Sequence, residues 1–418
     1  MQRTPFEAIA LKTIENELAK ACTEESVLQK ISSAANVGSL AFFPCNKCFR
    51  KLLARIQHRM PAVYKRIFGV IDLSRNISAP NGISIFHVDD LPLFINELST
   101  IVIASNNFPV IDCNRLQKQA ELPTHINYIY ISDFDLTLPP SNSINGLISQ
   151  ISRIYTCLAD WKSKMMYLTV WLYRVLKDDK LSYIFANDCS TPSGDSLFYK
   201  GSVISNFGDD YSNKEDILAD VYRIPEVDVG LGETVLDVGA YIGDTAIYFS
   251  HHVGATGKVY AFEPILANYE KLMRNVKDNC LDSIIIPVHK GCGSGNRVSR
   301  AVSSANGSSW AFIDAESGSQ SIQIVTIDSF VDEHKLDKVS FIKMDIEGYE
   351  CEALKGAIRT IKKYRPKLAI CLYHQTRDLI EIPDFILSLP VKYDLYFRSQ
   401  KAGPYGTVLF CSPKGDDE

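Results

Sequence analysis

Val235-Leu-Asp-Val-Gly-Ala-Tyr-Ile-Gly-Asp-Thr245 joins an apolar run to an apolar, helix-like segment through a turn that holds two glycines. The run ends in Asp237, and Gly239 and Gly243 follow it. This order is typical of a buried strand that turns tightly into a helix, as at the first βα corner of a nucleotide-binding α/β sheet. The sequence therefore predicts an α/β domain with a ligand at the carboxyl end of this strand.

The side chains within the turn indicate which nucleotide it binds. A dinucleotide site needs Gly-x-Gly-x-x-Gly so that backbone can approach a pyrophosphate, but here the second position is Tyr241 and the last is Asp244. A large side chain and a carboxylate suit a diphosphate poorly. They suit S-adenosylmethionine, which has no phosphate and carries a cationic methionine end. We expect S-adenosylmethionine, the methyl donor, to be bound by the residues of this turn, namely Asp237, Gly239, Ala240, Tyr241, Gly243, Asp244 and Thr245.

Further residues of the ligand site are predicted at the ends of the next two strands. Lys258–Phe262 reads as a strand and is followed by Glu263, whose carboxylate can accept hydrogen bonds from both ribose hydroxyls. The alternative for Glu263 is an acid that stabilises the N-terminus of the helix starting near Leu266. After the third strand, the turn with Gly291 is expected to cover the adenine through its backbone.

The end of the fourth predicted strand also contributes to the ligand site. The run Val339-Ser-Phe-Ile-Lys-Met-Asp345 brings a carboxylate to the ligand-binding edge of the sheet. Asp345 is expected to lie nearest the methyl group of the donor. Glu347 and Glu350 either orient an acceptor, cap the following helix or bind a cation. A divalent ion with oxygen ligands is the alternative, and we predict no metal because capping explains the same residues.

The composition bounds the class of protein. With 418 residues, 46% of them hydrophobic, 22% charged and a net charge of −5, the chain is expected to form about two or three globular domains. The net charge gives no general basic footprint, so we expect no nucleic-acid partner. The basic run between Arg50 and Arg66 is interpreted as the solvated face of a helix.

Compartment and cysteine chemistry follow from the same sequence. No signal peptide or uncharged membrane-spanning stretch is recognisable, so we expect a cytoplasmic protein. The eleven cysteines are scattered, and Cys371 and Cys411 lie in apolar runs, which fits reduced core thiols. Cys45-Asn-Lys-Cys48 is an isolated pair, whereas a zinc site would need a second pair at suitable spacing.

Three regions are predicted: an α/β domain over 1–140, a mostly helical linker with polar loops over 141–229, and the domain with the glycine turn over 230–418. Strands alternate with helices in the first region, which predicts a Rossmann-like domain. Its first turn, Phe43-Pro-Cys-Asn-Lys-Cys48, lacks glycine, although Asp72 stands where a ribose-binding carboxylate would. A degenerate, structural or substrate-docking domain is the alternative to a nucleotide site.

Within the linker, apolar residues recur every three to four positions from Leu147 to Leu176, which predicts helices. The polar strings Asn187–Gly194 and Phe207–Lys214 are expected to be loops, and the second is either a lid or a plain surface loop. The Ser- and Gly-rich stretch Ser303–Gly318 is predicted to be a surface hairpin or insertion.

The C-terminal region resembles the FkbM family of S-adenosylmethionine-dependent methyltransferases over roughly its last 190 residues. Six motifs carry the resemblance in order: Leu236–Thr245, Phe262-Glu-Pro264, Val325-Thr-Ile-Asp328, Phe341–Glu350, Leu372–Leu379 and Tyr393–Arg398. The resemblance implies a class I methyltransferase fold, with a seven-stranded, mostly parallel sheet that ends in an antiparallel hairpin. It also implies methyl transfer to a hydroxyl oxygen, often on sugars or polyketides. The N-terminal arrangement is similar to that of members associated with bacterial surface polysaccharide biosynthesis.

One departure from the family concerns the penultimate strand, where relatives often have Arg-His and this chain has Arg398-Ser-Gln400. If that histidine served catalysis in relatives, its replacement would alter acceptor choice. Methyl transfer to a hydroxyl is an in-line displacement that a base assists. We expect His374 to be the base, with Asp345 or Glu347 as the second candidate. A core histidine that bonds to backbone is the alternative for His374.

The predicted partner is a hydroxyl of a sugar, glycan or related metabolite. Two other functions stay open from the sequence: an NAD-dependent sugar-nucleotide enzyme, and a non-catalytic scaffold that retains a methyltransferase shell. The absence of Gly-x-Gly-x-x-Gly counts against the first, and the donor-site residues Asp237, Gly239, Gly243 and Glu263 count against the second. The sequence leaves the oligomeric state open, a dimer included.

Overall fold

The computed structural model describes most of the chain. The described residues are 5–20, 24–43, 47–72, 83–93, 97–105, 126–132, 144–176, 195–207, 211–302, 312–313, 318, 320–399 and 406–415. They form two compact units. The first unit comprises 1–153, 168–181 and 375–377, and the second comprises 154–167, 182–374 and 378–418. The domain boundaries read from the sequence remain predictions.

The first unit is built on a five-stranded sheet. Its strands are β1 (Leu40–Phe43), β2 (Ile67–Asp72), β3 (Ile85–His87), β4 (Thr100–Ser105) and β5 (Asn127–Ser132). They lie in the order β3-β2-β1-β4-β5, and every pairing is parallel. The helices before and between these strands are α1 (Pro5–Lys20), α2 (Glu24–Val37), α3 (Lys47–Arg59) and α4 (Pro61–Tyr64), and a 3-10 helix covers Val88–Leu93.

Parallel strands alternate with helices along this unit, as the sequence predicts for the first region. Leu40, Phe42 and Val70 on the strands pack with Leu52 and Ile56 of α3 in one core cluster, because helix α3 spaces its apolar residues along one face. Residues 44–46, most of the glycine-free turn predicted after Phe43, lie outside the described residues. The helices α5 (Ile144–Cys157) and α6 (Trp161–Leu176) confirm the helical rhythm of the linker, and both contribute residues to both units.

The second unit contains a seven-stranded sheet. Its strands are β8 (Thr234–Val238), β9 (Lys258–Phe262), β10 (Ile285–Val288), β15 (Phe341–Met344), β16 (Lys367–Cys371), β17 (Tyr393–Ser399) and β18 (Thr407–Pro413). They lie in the order β10-β9-β8-β15-β16-β18-β17. All pairings are parallel except those of β18, which runs antiparallel to both β16 and β17.

Helices connect the parallel strands of this sheet. They are α8 (Asp244–Val253), α9 (Leu266–Asp278), α10 (Ile327–Glu333), α11 (Glu350–Lys355), α12 (Ile358–Tyr364) and α13 (Asp378–Ser388). The strands β8, β9 and β15 are neighbours at the centre of the sheet. Because parallel strands share one carboxyl edge, the segments that follow these three strands meet there.

Two smaller sheets complete the second unit. The hairpin of β6 (Ser196–Tyr199) and β7 (Ser202–Ser205) precedes helix α7 (Tyr211–Leu218). The second sheet has the order β11-β14-β12-β13, and its strands are β11 (Gly291–Cys292), β12 (Arg297–Val302), β13 (Phe312–Ile313) and β14 (Gln320–Val325). Strand β13 lies inside the predicted Ser/Gly-rich insertion, of which most other residues fall outside the described part of the chain.

The prediction of a loop over Phe207–Lys214 is wrong for its second half, because α7 begins at Tyr211. The string itself is polar, and the apolar residues that pack this segment lie just beyond it. Ile217, Val221 and Tyr222 are buried in the same core cluster as residues of the central strands. The other predicted loop, Asn187–Gly194, lies outside the described residues. Among the described residues, no helix is both long enough and apolar enough to cross a membrane.

Candidate active site

The turn after β8 needs glycine at two positions. Gly239 has a φ of +88°, and a Cβ there would lie 2.0 Å from the backbone oxygen of Asp345. Gly243 has a φ of +87° at the start of α8, and a Cβ there would lie 2.5 Å from Leu272. Since left-handed backbone and missing space both favour glycine, the two glycines set the path of the turn beside β15.

Asp237 lies behind this turn rather than in the open site. Its side chain is fully buried, its Oδ2 atom accepts a hydrogen bond from Thr245 Oγ1 at 2.7 Å, and its Oδ1 atom lies 3.1 Å from Lys343 Nζ. Asp244 is also buried, and burial raises the pKa of its carboxyl to about 8. These side chains therefore hold the turn in place from the protein side.

Glu263 stands immediately after β9, as predicted from the sequence. Its Oε2 atom accepts the N–H of Tyr241 at 3.1 Å, and its Oε1 atom accepts the N–H of Ile265 at 2.8 Å and Asn268 Nδ2 at 3.3 Å. Burial raises the pKa of Glu263 to about 8, although these donors oppose the rise. The carboxyl thus links the glycine turn to the start of α9, so that the capping interpretation and the ligand interpretation both have a geometric basis.

A cleft opens at this edge of the sheet. Five of the predicted donor-binding residues line it, namely Gly239, Tyr241, Glu263, Gly291 and Asp345. The lining also includes residues that were not predicted: Pro264, Ile265, Asn268, Cys292, Ile346 and Tyr349. The remaining predicted turn residues, Asp237, Ala240, Gly243, Asp244 and Thr245, are not part of the lining and support it from behind.

Asp345 is fixed by two tyrosine hydroxyls. Tyr222 donates to its Oδ2 atom and Tyr373 to its Oδ1 atom, each at 2.7 Å. Burial would raise the pKa of Asp345, but the hydrogen bond and charge of His374 and the charge of Lys343 outweigh it. The pKa therefore lies well below its usual range, and Asp345 is a permanent anion at the edge of the cleft.

His374 lies among three carboxylates. Its Nδ1 atom is 2.8 Å from Glu350 Oε1, and its Nε2 atom is 3.2 Å from Asp345 Oδ1 and 3.7 Å from Glu347 Oε1. Burial would lower the pKa of His374, but the charges of Glu350 and Glu347, with hydrogen bonding to Asp345 and Glu350, raise it well above its usual value. The structure therefore brings all the predicted catalytic residues together, and it favours the imidazolium form of His374.

One potential ligand atom each from Asp345, Glu350 and His374 lies within 4.8 Å of the others, which is a spacing that a cation site can have. An imidazolium cannot ligate a metal, because ligation needs the neutral ring. A cation at this position would therefore have to displace the proton of His374, whose pKa the surrounding carboxylates raise. Glu350 has a second structural role, since its Oε1 atom accepts the N–H of Ile346 at 2.8 Å at the start of α11.

Three residues of the site were not predicted from the sequence. Tyr222 lies in the segment interpreted as linker, and no spacing connects it to Asp345. Tyr373 is adjacent to the predicted His374 but carries no motif of its own. Lys343 did leave a signal, because it is the one charged residue in the buried strand Phe341-Ile-Lys-Met344.

Arg398, which precedes the departure from the family pattern, is part of a buried ion pair. Its Nη2 atom lies 2.6 Å from Asp160 Oδ2, and its Nη1 atom donates to Ser163 Oγ at 2.6 Å. Arg398 does not line the cleft. The residue after it, Ser399, ends β17, and Gln400 lies outside the described part of the chain.

Comparisons with known proteins identify a family over part of this chain. Residues 237–399 match the family described as "Methyltransferase FkbM domain". A curated relative, the hexuronic acid methyltransferase AglP of Haloferax volcanii, is 26% identical over 143 residues, which are 34% of this chain. The match spans just over half of that relative, 57% of its length.

Among solved structures, the methyltransferase FkbM of Methylobacillus flagellatus KT superposes with a TM-score of 0.54 at 19% sequence identity. The match covers 97% of this chain and 99% of that structure, and at this identity it shows a shared fold alone. The family match spans the glycine turn, Glu263, the Asp345–Glu350 segment and His374. Residues 237–399 of this chain are therefore a methyltransferase FkbM domain, and the resemblance read from the sequence motifs is confirmed there.

Proposed function

We propose that the second unit transfers a methyl group from S-adenosylmethionine to a hydroxyl of a sugar, glycan or related metabolite. The observation that carries this proposal is the cleft at the carboxyl ends of β8, β9 and β15. Its walls include the Gly239 turn, Glu263 and the ionised Asp345. The strand order of the seven-stranded sheet, with its antiparallel β18, supports a class I methyltransferase fold.

The charge of the cleft supports a sulfonium donor over a dinucleotide. Asp345 and Glu347 both line the cleft, and Asp345 stays ionised. A negative charge in the lining of the cleft stabilises a bound cation, whereas it repels the pyrophosphate of NAD. Glu263, Gly291 and Cys292 also line the cleft. We propose that Glu263 accepts the ribose hydroxyls and that Gly291 and Cys292 cover the adenine.

In the proposed reaction, the acceptor oxygen attacks the methyl carbon while the carbon–sulfur bond breaks and its electron pair stays on sulfur. The acceptor proton must leave, and we propose His374, in its minor neutral form, as the base that receives it. Glu347 lines the cleft and also approaches His374, with its Oε1 atom 3.7 Å from Nε2. Asp345, held ionised by two tyrosines, is better suited to stabilise the cationic donor than to take a proton.

A sugar acceptor is proposed from the relative that acts, by its name, on a hexuronic acid. The proposal for the first unit is a Rossmann-like domain, which its five-stranded parallel sheet supports. A link to polysaccharide biosynthesis, with a cytoplasmic location, is part of the same proposal.

Isothermal titration with S-adenosylhomocysteine and with NAD tests the donor. Saturable binding of the first ligand alone is expected. Binding of NAD instead would favour the sugar-nucleotide enzyme, and binding of neither ligand would favour a non-catalytic scaffold. Each outcome selects one of the three functions.

Transfer of labelled methyl groups to a panel of neutral sugars and uronic acids tests the acceptor. We expect a product whose label survives mild alkali, because a methyl ether resists hydrolysis that cleaves a methyl ester. Replacing His374 by Ala should lower turnover by about 100-fold or more while the affinity for S-adenosylhomocysteine is retained. Label released as methanol by alkali would instead identify a carboxyl acceptor.

A further inference from the structure

Lys343 is a lysine in the interior of the second unit. Only 1% of its side chain is exposed, and its neighbours in the strand Phe341–Met344 are all buried. Burying an ammonium group is unfavourable unless it is paired and hydrogen-bonded. A lysine at this position therefore has to be explained by what it contacts.

The ammonium group has two partners on β8 and the turn that follows. Nζ lies 3.1 Å from Oδ1 of Asp237, the residue that faces Lys343 across the parallel pairing of β8 with β15. It also donates a hydrogen bond to the carbonyl oxygen of Gly239 at 2.7 Å. Burial would lower the pKa of Lys343, but Asp237 and Asp345 raise it above its usual value, so the group is charged.

The second partner matters because Gly239 belongs to the cleft. Its left-handed backbone passes so close to Asp345 that no side chain fits. The peptide that follows Gly239 is held on both sides, since its N–H, from Ala240, donates to the Phe262 carbonyl at 2.9 Å and its carbonyl accepts the bond from Lys343. Thr245 fixes the other oxygen of Asp237 at 2.7 Å. The ammonium group thus ties strand and turn to one another.

A merely structural role would not require this charge, because replacing a buried ion pair by apolar residues of similar volume is often neutral or stabilising. We propose that Lys343 is a positioning residue that sets the Gly239 turn for the methyl donor. This inference rests on the proposed donor-binding function of the cleft. It predicts that Lys343 controls donor affinity while making no contact with the donor.

The test uses the full chain and isothermal titration with S-adenosylhomocysteine. Lys343→Met should weaken binding by about tenfold or more, since a hydrogen bond from a charged group to the turn is lost. Because this variant leaves Asp237 without its cation, the double variant Lys343→Met with Asp237→Asn provides a neutral pair that keeps the Thr245 contact. It should recover thermal stability and still bind weakly.

Lys367→Met is the matched control. Lys367 is also a strand lysine in an ion pair, 2.8 Å from Glu233 Oε1, but it is outside the cleft and partly exposed. Its replacement should leave donor affinity unchanged. A Lys343→Met or double variant that melts like the parent and binds like the parent would overturn the proposal. So would failure of both variants to fold, which would assign Lys343 to stability alone. If the unaltered protein does not bind the ligand, the proposed function fails instead.

Discussion

The Nδ1 atom of His374 lies 2.8 Å from Oε1 of Glu350, a carboxylate that has no exposed surface. The same Glu350 oxygen accepts the N–H of Ile346 at 2.8 Å, so the carboxylate is fixed by the backbone that follows β15. The imidazole is therefore oriented by a buried anion, and its Nε2 atom is directed to the side of Asp345 and Glu347. This pairing makes the protonation of His374 a property of its neighbours.

Glu350→Gln is predicted to move the pH dependence of methyl transfer. A base must be neutral to act, so turnover rises as pH rises through the pKa of His374, which its carboxylate neighbours raise well above the usual value. Removing the Glu350 charge lowers that pKa, so the acidic limb of the pH–rate profile should shift to lower pH. The shift is expected to be about one pH unit or more. Steady-state rates across the pH range measure it.

Glu352→Gln is the control for this shift. Glu352 lies on the same short helix, but its partners are Lys355 at 2.6 Å and Ser294 at 2.5 Å, and it does not contact His374. Its profile should coincide with that of the parent protein. An unshifted limb in the Glu350→Gln protein would show that the titrating group is not His374.

Gly239→Ala is predicted to abolish donor binding. The new Cβ would lie 2.0 Å from the Asp345 carbonyl oxygen, which is backbone and cannot move aside, and the φ of +88° is itself unfavourable for alanine. We expect no saturable titration with S-adenosylhomocysteine and a lower melting temperature. Gly295→Ala is the matched control, since the nearest atom to its Cβ is the end of the Arg297 side chain at 3.9 Å. Unimpaired binding by the Gly239→Ala protein would mean that the ligand does not use this turn.

Removing either tyrosine hydroxyl from Asp345 is predicted to reduce activity. Tyr222→Phe and Tyr373→Phe each delete a hydrogen bond of 2.7 Å to the carboxylate, and such bonds to charged groups contribute about 1.5 to 3 kcal/mol. We expect each variant to lose about tenfold or more in kcat/KM, and the double variant to deviate from additivity because both bonds share one carboxylate.

Tyr364→Phe serves as the control for the tyrosine variants. Its hydroxyl donates to the Leu336 carbonyl at 2.6 Å, which is a bond of similar length between residues that do not line the cleft. A similar loss in this variant would trace the effect to stability rather than to Asp345. Melting temperatures of all the variants separate the two causes.

The frame of the site could be predicted because its residues follow strands. Asp237, Glu263 and Asp345 each stand at the end of an apolar run, and parallel strands bring such ends to one edge. The order of the motifs then indicates which strands are neighbours. Gly239 was predictable for the same reason, since a tight strand-to-helix turn selects glycine.

The interior of the site could not be predicted, because its contacts join segments that are distant in sequence. Tyr222 reaches Asp345 across 123 positions, and Lys343 reaches Gly239 across 104. Single-sequence patterns report periodicity and turn chemistry, not such pairings. The raised pKa of His374 is of the same kind, since it depends on Glu350 being buried beside it.

Glu263→Gln is predicted to remove a pH dependence of both stability and binding. Burial raises the pKa of Glu263 to about 8, from 4.5. A raised carboxyl pKa favours folding below pH 4.5, and that contribution is lost as pH rises from about 4.5 to about 8. Relative to the Gln variant, the unaltered protein should lose up to about 4 kcal/mol of unfolding free energy over this range. Asp244 titrates equally in both proteins.

If the ionised carboxylate of Glu263 accepts the ribose hydroxyls, affinity for S-adenosylhomocysteine should tighten as pH rises toward 8 in the unaltered protein and stay flat in the variant. Parallel titration curves for the two proteins would contradict the ribose-binding role of Glu263.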